Sequence, residues 1–201
     1  MGKDYLDVEK VKNFLEELIV EYPICEYAYG DAKDIPFSDK IFTVCETDCV
    51  RYNKSWACPP HAGTIDDNIK RIGKYKQFMV FSTVWEVSDS MNYQACLFMK
   101  KEHESLTRDF RKKLLNHFDL EEQSLDEDSN PPIYILSSGC TICDECTCPK
   151  EPCRHPKERL MTAESHGILL VQVLEDLGLT SSYDGTTVVY FTMVLFGKED
   201  E

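Results

Sequence analysis

The sequence predicts an α+β fold: a single domain over residues 1–201, built on a mixed sheet covered by helices, with cysteine-rich loops between the elements. Three observations predict it. Two β-rich apolar runs, Gln77 to Val87 and Thr186 to Phe196, read as buried strands. Segments with helical apolar spacing flank them, out of the strict strand–helix alternation of a parallel α/β fold. The cysteines fall mostly in breaker-rich stretches without periodicity.

The elements follow in order. Val8, Val11, Leu15 and Leu18 recur at spacings of three and four, which predicts an amphipathic helix over roughly residues 4–21, ended by Pro23. Residues 25–64 read as loop, broken by Gly30, Pro36, Pro59, Pro60 and Gly63. Thr64 can cap a helix with Asp67 three residues on, running to about Lys74. After the first β-rich run, Tyr93 to Met99 is a second strand or the beginning of a helix. From about Lys100, Leu106, Phe110, Leu114 and Phe118 repeat every four residues and predict a helix. Asp119 to Pro132 is an acidic loop, and Ile133 to Leu136 a short strand running into Gly139-Cys140. Pro156 to Met161 reads as a helical turn, and Gly167 to Leu177 as a helix stopped by Gly178.

Composition narrows the function classes. The chain of 201 residues is long enough for one hydrophobic core, and 42% of it is apolar. The formal net charge is −14, which argues against nucleic acid and against anionic membranes as partners. No apolar run approaches the ~20 residues of a membrane helix. The opening MGKDYLDVEK is charged, so a secretory signal is not expected and the compartment reads as cytoplasmic.

Ten cysteines is a high count for this length, and a reducing cytosol does not favour disulfides. Five of them crowd into Cys140–Cys153, as ligands converging on one centre do. Cys140, Cys143 and Cys146, three apart, make a tripod able to wrap a cuboidal [4Fe–4S] cluster. The bacterial ferredoxin run fails here, because its fourth position is Lys150. The fourth ligand is then Cys148 or Cys153. Cys153 is favoured, since Lys150-Glu151-Pro152 allows an ordinary turn while Cys148 is tight against Cys146. Zinc is the lesser alternative, because it usually takes two separated Cys-x2-Cys knuckles.

The upstream segment carries Cys45, Cys49 and Cys58, followed by Pro59-Pro60-His61. The Cys45-x3-Cys49 spacing matches the beginning of a radical-SAM motif, but the third position is Tyr52 and the chain is short for that barrel. Three cysteines leave one position for His61, for Cys25, or for water or substrate on an open iron acting as a Lewis acid. Tyr52 and Trp56 are candidates to shield a cluster from water, and Arg154 to offset its charge.

The pattern Cys45-x3-Cys49-x2-Tyr52-x3-Trp56-Ala-Cys58-Pro-Pro, followed far downstream by Gly139-Cys-x2-Cys-x2-Cys and Pro152-Cys153-Arg154-x-Pro156, resembles an uncharacterised bacterial and archaeal family of predicted metal-binding proteins. The resemblance runs from about Cys45 to the last β-rich run. It implies metal binding, common among anaerobes, with no set reaction. Cys45, Cys49, Cys58, Cys140, Cys143, Cys146 and Cys153 stand on its motif positions, which independently favours Cys153 over Cys148. Cys25, Cys96 and Cys148 stand outside it.

Other residues carry less. Cys96 sits in an apolar context and reads as a buried thiol. His103 and His117 fall on a charged helix and read as solvated, as does the basic stretch Arg108, Arg111, Lys112 and Lys113 unless it docks an acidic redox partner. His155 and His166, near the second cysteine segment in sequence, read as surface or packing residues, with a hydrogen bond to a cluster sulfur as the lesser alternative. There is no P-loop, GxGxxG, GxSxG or HExxH, so no catalytic residue is assigned. The sequence therefore supports an iron–sulfur protein with one or two clusters moving single electrons. An enzyme with an open iron at Cys45, Cys49 and Cys58, and a zinc-stapled interaction module, remain as alternatives.

Overall fold

Strict side-chain alternation builds the centre of the molecule. A computed structural model describes residues 6–124 and 131–198. Strands β2 (Tyr75–Glu86) and β5 (Thr187–Lys198) pair antiparallel along their whole length, from Tyr75 opposite Lys198 to Glu86 opposite Thr187. β1 (Tyr27–Asp31) adds antiparallel to β2, and β3 (Tyr134–Ser137) antiparallel to β5. The two-residue β4 (Met161–Thr162) lies parallel to β3 and completes the order β1-β2-β5-β3-β4.

Successive residues point to opposite faces. Met79, Phe81, Ile133, Ile135, Val194 and Phe196 bury one face under α1 (Val8–Ile19) and the second half of α4 (Tyr93–His117). Phe78, Val80, Tyr134, Leu136, Met193 and Leu195 bury the other, under α3 (Ile65–Ile72), α5 (Leu170–Leu177) and loop residues that include Ala57 and Ala62. The α+β class is therefore as the sequence predicted: a five-stranded mixed sheet with helices on both faces. Among the described residues, no helix is long and apolar enough to cross a membrane.

Local chemistry explains the boundaries. Asp7 caps α1 through Lys10 N at 3.0 Å, which sets its beginning at Val8. Thr64 Oγ1 accepts from Asp67 N at 3.2 Å, so α3 begins where the sequence placed it. Asn92 Oδ1 accepts from Gln94 N and Ala95 N. That cap makes Tyr93 to Met99 the first two turns of α4 rather than a strand. Gly178, at φ 69°, ends α5.

Three further elements lie inside the stretch read as loop, one of them the single 3-10 turn Ala32–Asp34. β1 is a short edge strand interrupted by Gly30, and α2 (Lys40–Asp48) buries no residue. Pro156 to Glu158 is a turn, and the acidic loop Asp119–Pro132 lies partly outside the described residues.

Parallel neighbours in a sheet need a long crossover, usually helical. Between β3 and β4 that crossover is residues 138–160, the cysteine-rich segment itself, and it holds no helix.

Candidate metal centre

Cys45 stands on α2 and Cys49 caps its C-terminus. A separation of four residues is one helical turn, so both side chains leave the same side of the helix. Cys58 follows a series of turns in which Tyr52 N bonds Cys49 O, Lys54 N bonds Arg51 O and Cys58 N bonds Ser55 O. Ala57, fully buried in the core beside α3, pins Cys58 against the body of the protein.

These three cysteines line a cavity of about 210 Å³. Its opposite wall comes from the end of β3: Ser138, Gly139 and Cys140, with Lys100 of α4 and Glu164 nearby. Gly139 has φ 128°, and a Cβ there would stand 3.0 Å from Lys100 Nζ. Glycine thus lets the strand turn sharply into the cavity wall.

A second cavity, about 370 Å³, is lined by Cys140, Cys143, Cys146, Cys148 and Cys153. Cys140, Arg51 and Ser55 line both cavities, so the two adjoin. Thr147 closes the far end by accepting from Lys150 N and Glu151 N and donating to Pro152 O. Trp56 Nε1 donates to Glu151 O at 3.0 Å and ties the two cysteine segments together across some ninety residues of sequence.

All seven predicted cysteines therefore line the pair of cavities, and Cys148 joins them. Tyr52 lines the first cavity and Trp56 the second. Cys25 and His61 line neither. Cys25 is exposed with its thiol 3.7 Å from Tyr183 OH, and His61 Nε2 meets Asn53 Oδ1 at 2.8 Å. Cys96 is half-buried, its thiol donating to Ser90 O at 3.2 Å.

Charge gathers here against the acidic average of the chain. Arg51, Lys54, Arg154 and Arg159 line the second cavity against Asp144 and Glu145. Burial pushes the thiols of Cys45, Cys58 and Cys140 above their ordinary pKa. At Cys58, Ser55, Arg51 and Lys100 oppose that rise, and at Cys140 the backbone amides of Ile142 and Leu160 do. Cys148 is pushed up to about 11 by burial and by its neighbours Cys146, Cys58 and Cys153. These thiols must lose protons to bind metal, so loading releases protons and weakens as pH falls.

The donor set is soft thiolate with amide and guanidinium partners, the chemistry of iron–sulfur or zinc sites. Among the described residues, no group of three or more His, Cys, Asp or Glu side chains is arranged to hold a single metal ion. The cysteines line the walls of the two cavities instead.

Sequence reasoning missed the anchor beneath the shared wall. Glu104, wholly buried on α4, accepts from Thr141 N and Thr141 Oγ1, and stands 3.9 Å from Lys100 Nζ and 3.7 Å from Arg108 Nη1. The spacing Lys100, Glu104, Arg108 at four-residue intervals was a readable signal. The basic stretch is also not a solvated face throughout. Arg111 is buried and donates to Lys157 O and Arg159 O. His103 is buried too, not solvated. Its ring meets Thr83 Oγ1 at 2.7 Å and Thr192 Oγ1 at 3.1 Å, because α4 lays a polar seam, rather than an apolar one, on this part of the sheet. His117 is exposed, stacked on Phe14, and His166 is a packing residue against Tyr134.

No curated protein and no solved structure matches the chain. A family model matches residues 30–196, which contain β2, β3, β4 and most of β5, both cysteine segments and the Glu104 anchor. The chain thus belongs to the family described as predicted metal-binding protein (DUF2284).

Proposed function

We propose that this metal-binding protein is an iron–sulfur protein that holds [4Fe–4S] clusters in the two adjoining cavities and moves single electrons. The observation that carries the reading is that eight cysteines from two distant segments line cavities with a common wall. Thiolates spread around a cavity suit a cluster, whose irons each take a separate sulfur. A lone zinc would draw its sulfurs to within ~2.3 Å of one point.

Such a cluster supplies a one-electron store. The chain's residues do the rest. Arg51, Lys100 and Arg154 offset the negative charge of the thiolates. The Ile142 and Leu160 amides, facing the Cys140 sulfur, favour its ionised form and stabilise added charge. Tyr52 and Trp56 limit water at the thiols. A common wall makes the two sites a relay, which a redox protein partner would feed or drain. The setting we propose for it is the cytoplasm of an anaerobe.

Anaerobic purification, with iron and acid-labile sulfide analysis and EPR after dithionite, tests this. Iron and sulfide in equal amounts with a reduced-state EPR signal are expected. A colourless protein with stoichiometric zinc and no sulfide overturns the reading and leaves the zinc-stapled module.

A further inference from the structure

The two cavities do not divide their cysteines evenly. Cys45, Cys49 and Cys58 are three thiols around the first. Cys140, Cys143, Cys146, Cys148 and Cys153 are five around the second. A cuboidal cluster closed by protein takes four. One site is a ligand short, and the other has one too many.

One cysteine lies on both walls. Cys140 follows Gly139, the residue at which β3 turns, and precedes Thr141, which Glu104 holds by two hydrogen bonds of 2.7 Å. Its backbone is fixed on both sides, at the partition between the cavities. The other candidates for the vacancy are tied elsewhere: Cys25 beside Tyr183, and His61 against Asn53. Cys148 is buried and lines only the second cavity; two of its three thiol neighbours, Cys146 and Cys153, belong to that cavity and the third, Cys58, to the first.

Building on the iron–sulfur reading, we propose that Cys140 is the fourth ligand of the first cluster and that Cys148 takes its place in the second. The sets become Cys45, Cys49, Cys58, Cys140 and Cys143, Cys146, Cys148, Cys153. The apparent Cys-x2-Cys-x2-Cys tripod is then split between two centres. Both sites are closed by protein, which replaces the open iron of the enzyme alternative. The covalent link from Cys140 to Cys143 joins them through three peptide units.

The full chain, prepared anaerobically, tests this with Cys45→Ala, Cys140→Ala, Cys146→Ala and Cys148→Ala. Iron, acid-labile sulfide and dithionite-reduced EPR are read for each. The wild type should carry about eight irons in two clusters. Cys140→Ala should lose about half its iron and keep the same residual EPR signal as Cys45→Ala. Cys148→Ala should keep the same signal as Cys146→Ala. The proposal is overturned if Cys140→Ala pairs with Cys146→Ala, if Cys148→Ala retains both signals, or if the wild type holds one cluster. A wild type without sulfide instead sinks the underlying iron–sulfur reading. Should Cys140→Ala fail to fold, Cys140→Ser leaves an oxygen ligand and alters one signal only. That signal must be the one absent in Cys45→Ala.

Discussion

Glu104 Oε2 accepts two hydrogen bonds from Thr141, one from the backbone amide and one from the hydroxyl, each 2.7 Å long. The carboxylate is wholly buried, and its charge is met by Lys100 and Arg108 one turn away on either side. Removing one partner of a buried ionic group leaves the others uncompensated, which costs more than the group itself contributes. Glu104→Ala should therefore lower stability by on the order of 3 kcal/mol, read as the urea midpoint. Glu104→Gln keeps an acceptor for Thr141 N and should lose less. Metal content should fall with Glu104→Ala, because Cys140 is adjacent to the residue it anchors.

Two buried histidines should make stability fall in mild acid. Thr162 O accepts from His166 Nδ1 at 2.9 Å, so Nε2 is left to accept from Tyr134 OH at 2.6 Å, and the ring is neutral. Burial, the largest cause in each, depresses the pKa of His166 to about 3 and of His103 to about 4. The folded values lie below the unfolded value of ~6.5, so the unfolded chain takes up protons first. Stability is intact above pH ~6.5 and declines as pH falls from there towards the folded values. Between pH 7.5 and 5.0 each ring should cost about 2 kcal/mol. Urea unfolding at the two pH values measures the sum, and His166→Asn should remove part of the slope.

Gly139→Ala separates backbone from steric cost. The contact with Lys100 Nζ is with the end of a flexible side chain and relieves itself cheaply. The φ of 128° does not, since an alanine there is strained by about 1–3 kcal/mol. A thermal melt lower than the wild type by a few degrees is expected. An unchanged melt would show that the turn into Cys140 is not glycine-dependent.

Lys100 supplies a positive charge at the first cavity and lies outside the residues lining the second. On the iron–sulfur reading, Lys100→Gln should make the first cluster harder to reduce and leave the second unmoved. An EPR redox titration checks it. The signal that shifts should be the one that Cys45→Ala abolishes.

Much of this was readable in the chain because the signals are local. The periodicity of Val11, Leu15 and Leu18, the Thr64 cap and the alternation from Phe78 to Phe81 all reflect neighbours within a few residues. α2 escaped because no side chain on it is buried, so its apolar residues trace no stripe. β1 escaped because it is five residues of edge strand with a glycine inside. The cysteine segments were legible from spacing alone. The cavity that Cys140 shares with Cys45, Cys49 and Cys58 was not, since it forms only after β3 takes its place in the sheet. The burial of His103 was equally invisible, because its partners Thr83 and Thr192 come from two separate strands.

β3 carries a consequence for biogenesis. Its antiparallel neighbour is β5, which begins at Thr187, well beyond the last cysteine. While the ribosome is still short of that point, Tyr134 to Leu136 have no β5 backbone to pair with, and Cys140 hangs from an unplaced strand. The upstream thiols emerge early but wait for their opposite wall. A chain stalled before β5 would therefore present its thiols without a finished site.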